Sequence, residues 1–249
     1  MRNLYIFFLL IYRIIFKRQE LARYELLELI GKKIYPTLKL SDFGRIYLED
    51  QKFLTRYSPC LTRDLPRSFD RKYTLDQLMQ LTSKLSGDTA ECGVYEGSSS
   101  LLICDRIVGQ AKQHHVFDSF SGLSKPIAVD GSHWTAGALQ ISQEVVEKNL
   151  VQFPFVKYHP GWIPEKFHEV ADRSFCFVHI DVDLFEPTLE SIRFFYPRLV
   201  SGGILLCDDY GFNTCPGAKK AWDSFFADKN ETTISLTTGQ AFLIKSKMN

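Results

Sequence analysis

From Tyr73 to the C-terminus, short apolar runs alternate with stretches of helical character, and this rhythm limits the chain to very few folds. Thr74 is placed to cap a helix over 75–85, and Gly87-Asp88 turns into an apolar run at 89–95. The pattern predicts a helix over 98–109, a strand at 114–120, a helix over 139–150 and a short strand at 155–159. After 164–171, the run 174–182 reads as a strand, and Pro187 suits the first turn of a helix over 188–197. A strand at 202–210 precedes a helix from Pro216 to about 228, and the β-rich runs 231–237 and 240–246 flank Thr238-Gly239 like a hairpin. Strands that are apolar almost throughout need cover on both faces, which a parallel sheet with crossover helices provides. In such sheets ligands lie beyond the carboxyl ends of the strands, so functional residues should cluster there.

Composition agrees with one such domain. A chain of 249 residues nears the upper limit for a single hydrophobic core. Residues 69–249 are therefore taken as the α/β domain and 1–68 as a helical extension. The 45% hydrophobic and 24% charged content excludes wholesale disorder, collagen and a polytopic membrane protein. A net charge of +1 gives no global field, and no nucleic-acid partner is expected. That sum hides an asymmetry: residues 1–45 hold nine Lys/Arg against four acids, a net of +5 that leaves −4 for the body. Cys60, Cys92, Cys104, Cys176, Cys207 and Cys215 form no CxxC pair and no Cys/His ligand spacing. Neither zinc nor a disulfide framework is expected, and a reduced, cytoplasmic setting is.

The head of the chain poses a separate question. Residues 4–12 are apolar on every side of a helix, Arg13 interrupts, 14–16 are apolar again, and Lys17-Arg18 follow. Thirteen residues at about 1.5 Å each reach roughly 20 Å, short of the ~30 Å hydrocarbon core. Arg13 and the missing A-x-A site fit a signal peptide poorly. Such a segment needs cover. The body of the protein or a neighbouring subunit can supply it, and so can an anionic leaflet on which residues 4–18 make a peripheral contact at the inner face of the membrane. A cleaved or spanning segment is the remaining reading, and the subunit contact is favoured. Residues 20–34 suit a helix that stops at Gly31 and Lys32-Lys33, and a loop-rich stretch with Pro36, Pro59 and Pro66 follows.

Three constellations stand at strand ends. In the first, Glu91–Ser100, Gly93 and Gly97 allow a tight turn and close approach of a ligand. Its G-x-x-x-G spacing departs from the dinucleotide fingerprint G-x-G-x-x-G, and Glu96 suits an ammonium or sulfonium better than a pyrophosphate. A purely structural turn accounts for it equally well. In the second, Asp118 ends the next strand, where a carboxylate can accept both hydroxyls of a ribose or simply cap a loop. The third is the strongest: two successive strands end in Asp181 with Asp183 and in Asp208 with Asp209. Four carboxylates on one sheet edge repel unless a cation sits among them, and oxygen ligands suit Mg²⁺ or Ca²⁺. Alternatively some cap the helix near Pro187 or pair with Lys219 and Lys220. His179, on an apolar strand, reads as a satisfied core histidine.

With these residues the chain resembles the macrocin O-methyltransferase (TylF/MycF/NovP-type) family of S-adenosylmethionine-dependent enzymes. The matching stretches are AECGVYEGSSS, VFDSFSGL, Gly161-Trp162, HIDVDLFEPTLESIRFFYPRLVSGGILLCDDYG, CPGAKKAWDSFF and TGQAFLIK, in order over about 88–245. Residues 1–68 carry no comparable match. The resemblance implies a Rossmann-like methyltransferase fold, with a mostly parallel seven-stranded sheet and an antiparallel last strand. It implies S-adenosylmethionine as cofactor, its methionine part held by Glu91, Gly93, Tyr95, Glu96, Gly97, Ser98 and Ser99. Asp118 would hold the ribose, Ser119 and Phe120 would lie near the adenosine, and Asp181 would also face the cofactor. Mg²⁺ would sit on Asp181 or Asp183 together with Asp208 and Asp209. Relatives often carry a glycine pair where this chain has Gly97-Ser98. A homo-oligomer is implied as well, acting on a small molecule or glycan that bears a sugar hydroxyl.

The implied reaction is in-line displacement of a methyl from a sulfonium by that hydroxyl. A divalent cation lowers the hydroxyl's pKa while a carboxylate takes its proton. Asp183, farther past the strand than Asp181, is the expected base, and Asp181 is the second catalytic candidate. Two readings compete. A nicotinamide oxidoreductase lacks its fingerprint here and leaves the acids unexplained. A non-catalytic glycan-binding or scaffold relative has no reason to keep both acid pairs.

Overall fold

In the computed structural model the apolar head forms helix α1 (Arg2–Ile15), which packs on α2 (Glu20–Gly31). A third helix, α3 (Gln51–Leu61), occupies part of what the sequence presents as loop. The Asp50 carboxylate accepts the Phe53 N–H at 3.0 Å, and Phe53 and Tyr57, one turn apart, are buried and stack at 5.4 Å. Pro59 falls in the last turn of α3, so the one backbone bond its missing N–H forgoes lies at the helix's end. Residues 2–42, 44–61 and 68–247 are described (of residues 2 and 58–61, the backbone alone), so Pro66 and the Cys60 side chain lie outside them. The chain divides into two compact units, 1–62 and 63–249. No helix among the described residues is long and apolar enough to cross a membrane.

The second unit is built on seven strands: β1 (Asp88–Cys92), β2 (His114–Asp118), β3 (Val156–Pro160), β4 (Phe175–Ile180), β5 (Leu199–Cys207), β6 (Ile234–Ser235) and β7 (Ala241–Ile244). Their order is β3-β2-β1-β4-β5-β7-β6. The first five strands pair in parallel, and β7 runs antiparallel to both of its neighbours. This is the mostly parallel seven-stranded sheet with an antiparallel last strand that the sequence leads one to expect. β1 and β4 are buried along their whole length, as strands covered on both faces must be. From β1 the chain steps outward to β2 and β3, then returns to lay β4 on the other side of β1. The crevice beyond β1 and β4 is therefore the switch point of the sheet.

Helices α4 (Phe69–Leu81), α5 (Ser98–Ile107), α6 (Gln143–Leu150), α7 (Phe185–Phe195) and α8 (Pro216–Phe226) cover the sheet. Helix α4 starts six residues before the expected position. Thr74 is not its cap: the Thr74 hydroxyl donates back to the Asp70 carbonyl at 2.9 Å from inside the helix, a bond open to any mid-helix Thr. The early start follows from Phe69, which is buried together with Leu75, Leu78 and Met79, and it brings Arg71 and Lys72 onto the helix. Helix α6 starts later than expected, because Leu139 takes a left-handed backbone (φ 61°) that no helix accepts. The C-terminal hairpin pairs over only two residues of β6. Cys92, Cys104, Cys176, Cys207 and Cys215 are free thiols, all buried.

Candidate active site

A cavity of about 740 Å³ opens in the second unit, lined by the segments that follow β1, β2, β4 and β5. The floor is tightly drawn. Gly93 has φ +80°, and a Cβ there would lie 1.9 Å from the Asp181 carbonyl oxygen, so only glycine lets the ends of β1 and β4 pass so close. Tyr95, Phe120 and Asp183, each just past β1, β2 or β4, take φ between 45° and 59°. Left-handed backbone at non-glycine residues carries strain that concentrates where a site must hold a shape.

Asp118 ties two of these loops together. One carboxylate oxygen accepts the Val94 N–H and the other the Phe120 N–H, both at 2.8 Å. Burial raises its pKa against the pull of these N–H groups, and the side chain still faces the cavity. Nearby, Ser119 donates to the Gly122 carbonyl at 2.9 Å, and Lys72 donates to the Ser99 hydroxyl.

The four strand-end acids fall into two environments. Asp208 accepts from the Arg71 guanidinium, from Gln240 Nε2 at 2.6 Å and from His179 Nε2 at 3.2 Å. Through Nδ1, His179 reaches Glu91 at 2.9 Å, and Glu91 in turn accepts from the Ser100 hydroxyl. Burial alone would lower the His179 pKa, but bonds to Asp208 and Glu91 outweigh it and raise the pKa to about 9, so the imidazole is a cation at neutral pH. Burial likewise pushes Asp208 up, and His179, Lys72 and Arg71 together hold it well below the usual carboxylate range.

The other side has no such cation in contact among the described residues. Asp209 accepts the Asp183 N–H at 2.8 Å, the Cys215 thiol donates to Asp183 at 3.3 Å, and the Trp134 indole N–H donates to the Cys215 sulfur at 3.3 Å. Burial, then the charges of Asp183 and Asp181, pushes Asp209 well above its ordinary value. Burial with the Asp181 charge raises Asp183 to about 7, and burial with the Asp208 charge raises Asp181 to about 6. Metal-capable atoms gather in two triplets, each within 4.8 Å: His179, Asp181 and Asp208, and Asp183, Asp209 and Cys215.

Of the residues singled out in the sequence, Gly93, Tyr95, Ser98, Ser99, Asp118, Ser119, Asp181, Asp183 and Asp209 line the cavity. Glu91, Glu96, Gly97, Phe120 and Asp208 lie outside the lining. Glu91 and Asp208 are buried beneath it on His179, Gly97 packs on Val146 and Leu150 as the residue before α5, and the Glu96 carbonyl accepts from Asn149 at 2.8 Å. The pairing with Lys219 is not found: that ammonium goes to Asp223 at 2.5 Å and Tyr210 at 3.1 Å, on its own surface. His179 is satisfied at both ring nitrogens, but its partners are the site's own carboxylates. Sequence reasoning passed over Arg71, Lys72, Trp134 and Gln240. Only the adjacent Arg71-Lys72 pair, just ahead of the first strand, offered a signal.

A family model described as macrocin-O-methyltransferase (TylF) matches residues 71–238, well over half of the chain. The chain belongs to the macrocin O-methyltransferase family. It is 30% identical over 152 residues (55% of this chain, 58% of the relative) to the 8-demethyl-8-(2,3-dimethoxy-alpha-L-rhamnosyl)-tetracenomycin-C 4'-O-methyltransferase of Streptomyces olivaceus. Over 166 residues it is 27% identical to the demethyldecarbamoylnovobiocin O-methyltransferase of Streptomyces niveus, covering 58% of this chain and 60% of the relative. The chain thus matches about three fifths of the length of these curated relatives. Among solved structures, the O-methyltransferase NovP superposes with a TM-score of 0.61 at 23% identity, over 72% of this chain and 81% of that one. A calicheamicin methyltransferase superposes with a TM-score of 0.62 at 19% identity, over 79% and 92%. At these identities the superpositions establish the methyltransferase-type Rossmann-like fold.

Proposed function

We propose that this protein transfers a methyl group from S-adenosylmethionine to a hydroxyl of a sugar-containing small molecule or glycan, with Mg²⁺ assisting. The observation that carries this reading is one continuous lining on which Asp118 stands at the end of β2 while Asp183 and Asp209, buried and short of positive charge, stand past β4 and β5. S-adenosylmethionine supplies an activated methyl on its sulfonium, and Mg²⁺ lowers the pKa of the acceptor hydroxyl. The residues present suit both. Buried carboxylate oxygens suit a hard cation, and Asp209 with one of Asp181 and Asp183, all three raised first by burial, would hold it. Asp208 is already matched by Arg71 and His179 and serves to fix them.

Asp118 keeps lone pairs beyond those that Val94 and Phe120 use, and these accept the ribose hydroxyls. Gly93, Tyr95, Ser98 and Ser99 shape the turn for the methionine part, while Glu91 and Gly97 brace it from below. With Asp181 and Asp209 on the cation, Asp183 would be left to accept the acceptor's proton on a carboxylate oxygen. Trp134, Trp162 and Phe212 line the same cavity and give a sugar ring apolar faces to lie on.

Radiolabelled methyl transfer to a panel of deoxysugar and glycan acceptors, with chelator and with added Mg²⁺, tests the reaction. Calorimetry with S-adenosylhomocysteine and with NAD tests the cofactor. The expected outcome is turnover restored by Mg²⁺ and tight binding of S-adenosylhomocysteine alone. Binding of NAD in its place would hand the site to an oxidoreductase.

A further inference from the structure

We propose that the first unit docks on an anionic membrane surface through the outer face of α1. One side of this helix packs on α2 and buries Leu10, with Phe7 and Ile14 half-buried beside it. The opposite side is just as apolar: Leu4, Tyr5, Phe8, Tyr12, Ile15 and Phe16 are between 47% and 71% exposed. At 100° per residue these six fill an arc of roughly 120°, a stripe wide enough to bury a helix face. A helix of 14 residues is too short to cross a bilayer, but it is long enough to lie along one.

Charge decides what covers this stripe. Every acid within residues 1–45 already has a cation: Glu25 has Arg13, Glu28 has Lys32, Glu20 has Arg23 and Asp42 has Lys39. Lys17 and Arg18, directly after α1, and Lys33, directly after α2, are exposed and meet no carboxylate among the described residues. Beside Lys33, Ile34 and Tyr35 repeat the pairing of exposed apolar side chain with unmatched cation. A two-fold contact with a second copy would set this stripe against itself and bring like cations to one rim, where the acids of residues 1–45 are already paired. An anionic leaflet answers both features, since acyl chains take Phe8 and Ile15 while lipid phosphates take Lys17, Arg18 and Lys33. Tyr5 and Tyr12 have the amphipathic rings that settle at the headgroup level.

Co-sedimentation of the full chain with vesicles of phosphatidylcholine alone, and of phosphatidylcholine with phosphatidylglycerol, tests this. Binding is expected to the mixed vesicles only, and high salt should release it. At about 1 kcal/mol per cation, the triple variant Lys17→Gln, Arg18→Gln, Lys33→Gln should weaken that binding about a hundredfold. Phe8→Ser with Tyr12→Ser should also abolish it while circular dichroism stays unchanged. Failure to sediment at low salt, equal binding to phosphatidylcholine alone, or full retention in the triple variant would overturn the proposal. So would a dimer by light scattering that Phe8→Ser with Tyr12→Ser converts to monomer without altering sedimentation, because a second copy would then own the face.

Discussion

Asp208 and Asp209 are adjacent in sequence, yet they sit in opposite electrostatic environments. Around Asp208 the chain supplies the opposite charge itself, through Arg71, His179 and the amide of Gln240, and the carboxylate stays ionised. Around Asp209 and Asp183 the neighbours are a backbone N–H, a thiol and other acids. Burying a charge is tolerable when a hydrogen-bonded partner of opposite sign is buried with it. The Asp208 side meets that condition with its own residues, whereas the Asp209 side does not, and the proposed function makes the second the working side. Where a protein fails to match its own buried charge, it marks the place where chemistry is done.

The largest effect that separates the two sides is on turnover. Asp183→Asn should lower kcat by about 10²–10⁴-fold, the usual contribution of a positioned general base, with S-adenosylhomocysteine affinity unchanged by calorimetry. A kcat within tenfold of wild type would remove Asp183 from that role. On the matched side the loss should appear in stability instead. His179→Leu strips Glu91 and Asp208 of their shared cation and should cost about 3–5 kcal/mol in urea unfolding, because two buried carboxylates are left unanswered.

The same histidine gives that side a pH signature. Its pKa of about 9 lies above the ordinary 6.5, so the folded protein holds this proton longer than the unfolded chain does. Its contribution is then fully present below pH 6.5 and is lost as pH rises through 9, amounting to about 3 kcal/mol over that window. Unfolding free energies measured between pH 6 and 9.5 should fall accordingly in the wild type and much less in His179→Leu. Parallel slopes in both proteins would show that His179 does not carry the proton.

Much of the unmatched side was legible in the sequence, and little of the matched side was. Asp181, Asp183, Asp208 and Asp209 announce themselves because acids are rare in strands that are otherwise apolar, and the sheet rule alone puts them on one edge. The order of strands and helices was legible for the same reason, since two-sided burial writes itself into every residue of β1 and β4. Arg71 could not be read this way. It meets Asp208 across 137 positions of sequence, from a helix whose start depends on the burial of Phe69 and not on any cap residue. His179 looked like a core residue because it is one, and its partnership with Glu91 depends on the parallel register that sets Glu91 opposite it. The exposed stripe of α1 was visible as composition, but the pairing of every nearby acid needed side-chain geometry.

The smallest effect is the most discriminating. Asp209→Asn keeps an oxygen to accept the Asp183 N–H and removes one negative charge from the crowded side. At pH 7 the wild type carries a cost there in either form. Ionised, Asp209 is buried beside Asp183 and Asp181; protonated, it holds a proton that the unfolded chain would release. The amide carries neither, so the variant should be more stable than wild type by about 1–2 kcal/mol, or roughly 2–8 °C in Tm, while turnover is lost. The gain should shrink as pH falls toward the ordinary carboxylate value, where both states are protonated and the charge no longer differs. Added Mg²⁺ should raise the Tm of the wild type more than that of the variant, because only a site that binds the ion gains by mass action. Asp208→Asn should do the opposite at pH 7 and destabilise, since Arg71 and His179 would keep their charge and lose their partner. If the two substitutions shift Tm alike, in sign and in size, the two sides of the cluster are equivalent, and the division between a structural and a working carboxylate has no basis.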